Sequence, residues 1–172
     1  EHDYERRATA WKQWSETAIA EHQDTSFDHF GNSLAKVVER NTAFKQFKDV
    51  QKPPQSAERV DLEILLTNIR SKQKTEGLPI YNPPQEISTP VLHELWDSLN
   101  DAQDVYDKAL REHLALMKRL ELLLNRFRSR GKKIQDWQTN KTNTYLAEDI
   151  SKLDTISALQ AKIKVHETFD DN

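Results

Sequence analysis

The chain has no cysteine, which removes disulfide frameworks and thiolate metal sites and fits a cytosolic protein. Three glycines and six prolines in 172 residues leave little material for turns. No apolar run approaches the ~20 residues of a membrane span. The formal net charge of −3 does not suit a general nucleic-acid binder, which would carry a strongly basic surface. What is plentiful is charge (31%) beside a moderate hydrophobic share (36%). With so few turn residues, those shares favour long helices with solvated faces over a loop-rich enzyme. The chain opens on Glu1, not methionine, and is expected to be a piece of a longer protein.

Apolar spacing places the helices. After Pro90, the residues Leu92, Trp96, Leu99, Gln103, Tyr106, Leu110, His113, Met117, Leu120, Leu124 and Phe127 alternate steps of four and three, a heptad seam over five repeats. Thr89-Pro90 suits its start, with Thr89 as N-cap. The pattern can run to Tyr145, a rod of roughly 80 Å at 1.5 Å per residue. A first amphipathic helix carries Tyr4, Ala8, Trp11, Trp14 and Ala18, and Thr25 with Asp28 resembles a capping box after it. A further helix carries Phe30, Leu34, Val37, Asn41 and Phe44 and resumes as Leu62, Leu65 and Ile69. Between its halves stand Pro53 and Pro54, which lack the donor a helix interior needs and push the preceding residue out of helical space. A break over 50–56 is expected, either to let the helix curve or to expose a docking loop. Gly77 is placed to end the second half, and Pro79, Pro83 and Pro84 make a loop of the stretch beyond it.

Catalytic signals are poor. None of the six histidines has a Glu three residues earlier, as a di-iron bundle requires. His93-Glu94 meets Asp97 where a zinc protease needs its second histidine, and no Gly-rich phosphate loop occurs. No enzyme activity, cofactor or metal is expected of this segment. The tryptophans sit at core-compatible heptad positions, and His113 reads as a hydrogen-bonded seam residue. The expected core is Trp14, Trp96, Leu99, Tyr106, Leu110, Met117, Leu120 and Trp137. One charge feature stands out: Lys118, Arg119, Arg126, Arg128, Arg130, Lys132 and Lys133 against the single acid Glu121. It reads as a solvated helix face or, centred on Arg126, Arg128, Arg130, Lys132 and Lys133, as a seat for an acidic partner or anionic lipid headgroups.

The chain also repeats itself. Tyr4, Ala8, Trp11 and Trp14 recur as Phe127, Gly131, Ile134 and Trp137, and "FKQF" at 44–47 recurs as "HETF" at 166–169. Trp14, Trp96 and a helix shared between units resemble spectrin repeats. "KPPQSAERVDLEILLTNIRSKQKTEGLPIYNPP" at 52–84 is similar to the first rod repeat of the α-actinin family, in which a Lys-Pro-Pro insertion splits the second helix. "YERRATAWKQW" and "FRSRGKKIQDW" resemble the starts of the first and second repeats, with Ile134 standing in place of a Trp.

The resemblance implies an all-α, spectrin-like up-down-up three-helix bundle over 1–130, with its middle helix broken at 50–56. A long shared helix then continues into the first two helices of a second repeat over 131–172. It further implies a cytoplasmic, cytoskeletal rod that spaces and dimerises an actin cross-linker. Actin would be bound by flanking domains, and Ca2+ by EF-hand domains elsewhere in the protein. The second helix of repeat two, with Ile150, Leu153, Ile156, Leu159, Ile163 and Phe169, would leave an apolar groove beside Ile134 and Trp137, to be filled by an antiparallel second copy. The alternatives are a spectrin-repeat adaptor that does not dimerise and a bundle that binds anionic membrane surface through its basic face.

Overall fold

The computed structural model describes residues 1–146 and 154–170. Every regular element among them is helical: α1 (His2–Gln23), α2 (Phe27–Phe30), α3 (Leu34–Gln46), a π-helical turn (Phe47–Gln51), α4 (Lys52–Glu76), a 3-10 turn (Gln85–Ile87), α5 (Thr89–Leu146) and α6 (Ile156–Asp170). Two compact units divide the chain, Glu1–Glu121 and Leu122–Asn172, and the division falls inside α5.

In the first unit α1, the α3–α4 run and α5 pack around three clusters. At one end Tyr4, Ala8 and Trp11 of α1 meet Leu62 and Leu66 of α4 and Leu92 of α5, closed by Ile87. In the middle Ala18, Phe47 and Leu99 meet. At the other end Phe30, Val37 and Phe44 pack against Tyr106, Leu110 and Met117. The seam of α5 is therefore in register with its neighbours from Leu92 to Met117, with only Trp96 half-buried along it.

Helix ends follow local chemistry. Gly77 takes a left-handed φ of 69° and Leu78 N–H reaches back to the Gln73 carbonyl, closing α4 at its glycine. Two caps differ from expectation. Ser26, not Thr25, caps α2, accepting from His29 N–H, because the Asp24 carboxylate already holds the Ser26 N–H and fixes the turn one residue later. Thr89 is the first residue of α5, and extended Ser88 precedes it.

The expected interruption at 50–56 differs most. The chain never leaves helical space there. It widens into a π turn over Phe47–Gln51, and Pro53 and Pro54 enter the first turn of α4, where no intrahelical donor is needed. Lys52 N–H bonds the Phe47 carbonyl across that wider turn. Phe47, where that turn begins, is buried, stacked on Trp14 and packed against His22.

The second unit holds the rest of α5 and α6. Its large apolar residues Phe127, Ile134, Ile156, Leu159 and Ile163 are exposed. Ile150 and Leu153 lie outside the described residues, as does the side chain of Phe169.

Candidate interaction surface

The residues expected in the core separate into three groups. Leu99, Tyr106, Leu110 and Met117 are buried. Trp14 and Trp96 are half-buried: Trp14 stacks on Phe47 at 6.0 Å, and Trp96 leans on Trp11 at 6.2 Å. Leu120 and Trp137 are exposed, at 42% and 55%, a correction to their expected place. The buried seam stops at Met117, the last α5 residue of the third cluster, so among the described residues no apolar cluster faces Leu120. Trp137 belongs to a unit whose described part offers two helices, too few to enclose a large ring.

The fully enclosed tryptophan is Trp11, whose indole N–H donates to the Gln55 carbonyl at 2.8 Å. Tyr4 is equally buried and donates to the Ile87 carbonyl at 2.8 Å. Both stand in the α1 pattern, but spacing alone does not rank them above Trp14. The ranking comes from backbone carbonyls that only the fold delivers.

Lys52 is the residue that sequence reading missed as an organiser. The π turn and the prolines bring it to the α5 side of α4. There its Nζ donates to Asn100 Oδ1 at 2.7 Å and to Gln103 Oε1, and lies 5.1 Å from the centre of the Trp96 ring. Burial lowers its pKa from the ordinary lysine value. Lys48, Lys52, Pro53, Val60 and Trp96 line an open groove of about 630 Å³ beside it.

Other polar links tie the first unit together. Arg7 grips Glu58 with two 2.8 Å bonds, joining α1 to α4 and holding the Glu58 carboxyl below its usual range. Tyr81 donates to Glu5 at 2.6 Å and its N–H to Gln73, pinning the proline loop; burial, then the Glu5 bond, push its phenol pKa up. His113 donates from Nε2 to the Gly31 carbonyl at 2.8 Å, the hydrogen-bonded role its seam position suggests.

The basic stretch lies on α5. Lys118, Arg119, Arg126, Arg128, Arg130, Lys132 and Lys133 are all exposed, and none makes an ion pair among the described residues. No group of three metal-binding side chains occurs among the described residues. No described helix is long and apolar enough to cross a membrane.

Over 98% of its length the chain aligns with α-actinin A of Dictyostelium discoideum at 30% identity and with the spectrin beta chain of Drosophila melanogaster at 29%. The chain is a rod segment of the α-actinin and spectrin-repeat kind. α-Actinin-1 of Gallus gallus aligns over the same share at 23% identity. The rod segment spans 19% and 18% of the length of these α-actinins and 7% of the spectrin chain. No family model matches it.

Proposed function

We propose that this segment is a structural spacer in the rod of an actin filament cross-linking protein and that the rod pairs antiparallel with a second copy. The observation that carries the reading is the alignment of nearly the whole chain with α-actinins. The long helices suit the role: α5 alone runs for 58 residues, and the first unit is braced between α1, the α3–α4 run and α5. The exposed apolar residues of the second unit support pairing, since burying them on a second copy removes them from water. In this reading the segment is not catalytic and holds no cofactor. Actin contacts and any Ca2+ sites belong to other domains, and the protein works in the cytoplasmic cytoskeleton.

Two measurements test it. Sedimentation equilibrium of the chain is expected to show a concentration-dependent dimer. The full-length protein is expected to bundle actin filaments, and deletion of this segment should change the filament spacing. A protein that binds single filaments but never bundles them would overturn the cross-linking role. The match to a spectrin chain favours one second reading, an adaptor rod that does not self-pair. A monomer at every concentration would select it.

A further inference from the structure

Of the arginines, only Arg6 and Arg126 have a hydroxyl residue three positions further on: Thr9 in Arg6-Arg7-Ala8-Thr9 and Ser129 in Arg126-Phe127-Arg128-Ser129. An arginine at that distance before a serine or threonine is what an arginine-directed protein kinase reads, because acidic side chains in its cleft pair with the guanidinium. By sequence alone the first motif is the stronger, since Arg7 adds a second cation two residues before Thr9. The structure reverses that order.

A kinase cleft takes its substrate extended, so an acceptor on a helix must first open locally. Around Thr9 that opening is costly. Tyr4, Ala8 and Trp11 are buried in the first cluster. Arg6 bonds Asp3 at 2.7 Å and Arg7 grips Glu58, so both recognition cations are already in use. Around Ser129 nothing comparable holds the helix. Every residue from Leu122 to Arg130 is exposed. Arg126, Arg128 and Arg130 form no ion pair among the described residues. Gly131, two residues past Ser129, is after proline the residue type least suited to a helix interior. At about 100° per residue, Ser129 stands on the far side of α5 from Phe127 and Ile134. A partner seated on those apolar side chains therefore leaves the hydroxyl open.

We infer that Ser129 is a phosphorylation site for an arginine-directed serine/threonine kinase, and that Thr9, which carries the same motif, is masked by the fold. In the transfer the Ser129 Oγ forms a bond to the γ-phosphorus of ATP while the bond from that phosphorus to the bridging oxygen of ADP breaks. ADP leaves with the electron pair, and the hydroxyl proton passes to the kinase's catalytic carboxylate. Once the helix recloses, the phosphate stands one turn from Arg126, Lys132 and Lys133, three and four residues away along α5. Its charge of about −2 is met there by three cations. That bracket neutralises part of the basic face over 126–133 and holds the helix across Gly131. The inference goes beyond the spacer reading and does not depend on self-pairing.

The test incubates the 172-residue chain with ATP and the catalytic subunit of the cyclic-AMP-dependent kinase and maps the phosphate by mass spectrometry. A Thr9→Ser variant makes both acceptors serine, so that only their surroundings differ. In it Ser129 is expected to be modified at least about tenfold faster than residue 9, because opening around residue 9 must break the first cluster. Adding Trp11→Ala, which empties that cluster, is expected to unmask residue 9. Arg126→Ala is expected to slow modification of Ser129 at least about tenfold, and Arg126→Lys to restore part of the rate, with circular dichroism confirming retained helix. The phosphorylated chain is expected to exchange its amides over 129–133 more slowly than the unmodified one. Faster modification of residue 9, a Ser129 that stays unmodified, or an Arg126→Ala chain that reacts as fast as the wild type overturns the site. Faster exchange after phosphorylation overturns the bracket. All of these outcomes leave the spacer reading standing, since the bundling assay decides that separately.

Discussion

Lys52 lies over the face of Trp96 while donating to Asn100 and Gln103, so one side chain spans the whole gap between α4 and α5. Gln103 is buried, and its Oε1 has this ammonium as its partner. Replacing Lys52 with Ala strands that acceptor and removes the cation from the ring. The expected loss is about 2 kcal/mol by urea unfolding. A change below ~0.5 kcal/mol would mean that water serves Gln103 as well as the lysine does.

Trp11 and Trp96 touch, but only Trp11 is enclosed on all sides. Trp11→Ala is expected to cost about 3–5 kcal/mol, the range for emptying a buried aromatic site. Trp96→Ala should cost less, since part of its ring already faces solvent. Equal losses from the two substitutions would show that depth of burial does not govern this cluster.

His22 packs against Phe44, Phe47 and Tyr106 with its Nδ1 2.6 Å from the Ala18 carbonyl. Burial lowers its pKa below the ordinary 6.5. Below that value the unfolded chain takes up a proton that the folded chain resists. The stability is complete above 6.5 and drains away as the pH falls through it. Glu58 and Asp24, held below their usual range, add a similar loss only at still lower pH, beneath the ordinary 4.5 and 3.8. The urea midpoint of the wild-type chain is therefore expected to fall as the pH drops below 6.5, and His22→Phe is expected to flatten that decline. Identical slopes in both proteins would discard His22 as the source.

The glycines give opposite predictions. Gly77 has a φ of 69°, a conformation that costs any other residue, so Gly77→Ala should destabilise α4 by about 1 kcal/mol although no atom blocks the methyl. Gly131 sits inside α5 with open space where a Cβ would stand, so Gly131→Ala should raise stability by about 0.5–1 kcal/mol. Hydrogen exchange of the amides around residue 131 reads the second effect directly. Faster exchange in the alanine variant would show that the glycine relieves a local strain.

The helices were legible in the sequence because their signal is long and periodic. The α5 seam needed only the steps from Leu92 to Met117, and Gly77 announced its own turn. The end of burial at Met117 was not legible, since Leu120, Leu124 and Phe127 continue the same pattern with no cluster among the described residues to face. Spacing records which side of a helix is apolar, but not where its neighbours stop. The Lys-Pro-Pro stretch was misread for a related reason. Two prolines forbid an α-helical interior, yet a wider turn that places them at a fresh helix start obeys the same rule. Lys52 escaped notice because a lone lysine carries no pattern, and its partners lie 48 and 51 residues away. The basic side chains of 118–133 stand exposed, but exposure alone does not say what they meet.

The π turn has a mechanical consequence. Pro53 and Pro54 bring no backbone donor to the ladder, and the Lys52 N–H just before them reaches the Phe47 carbonyl across a longer ring. Two missing donors in succession leave a pull along the α3–α4 run fewer backbone bonds to break there than in a regular helical turn. Extension under tension should begin there, with the grip of Lys52 on α5 and the seat of Phe47 against Leu99 as the remaining resistance. A protein placed between filaments would then own a compliant link of fixed position, one that yields by a few ångströms and closes again when the strain passes, while the clusters at either end of the unit stay shut. Single-molecule stretching that shows the first yield elsewhere in the unit would refute this.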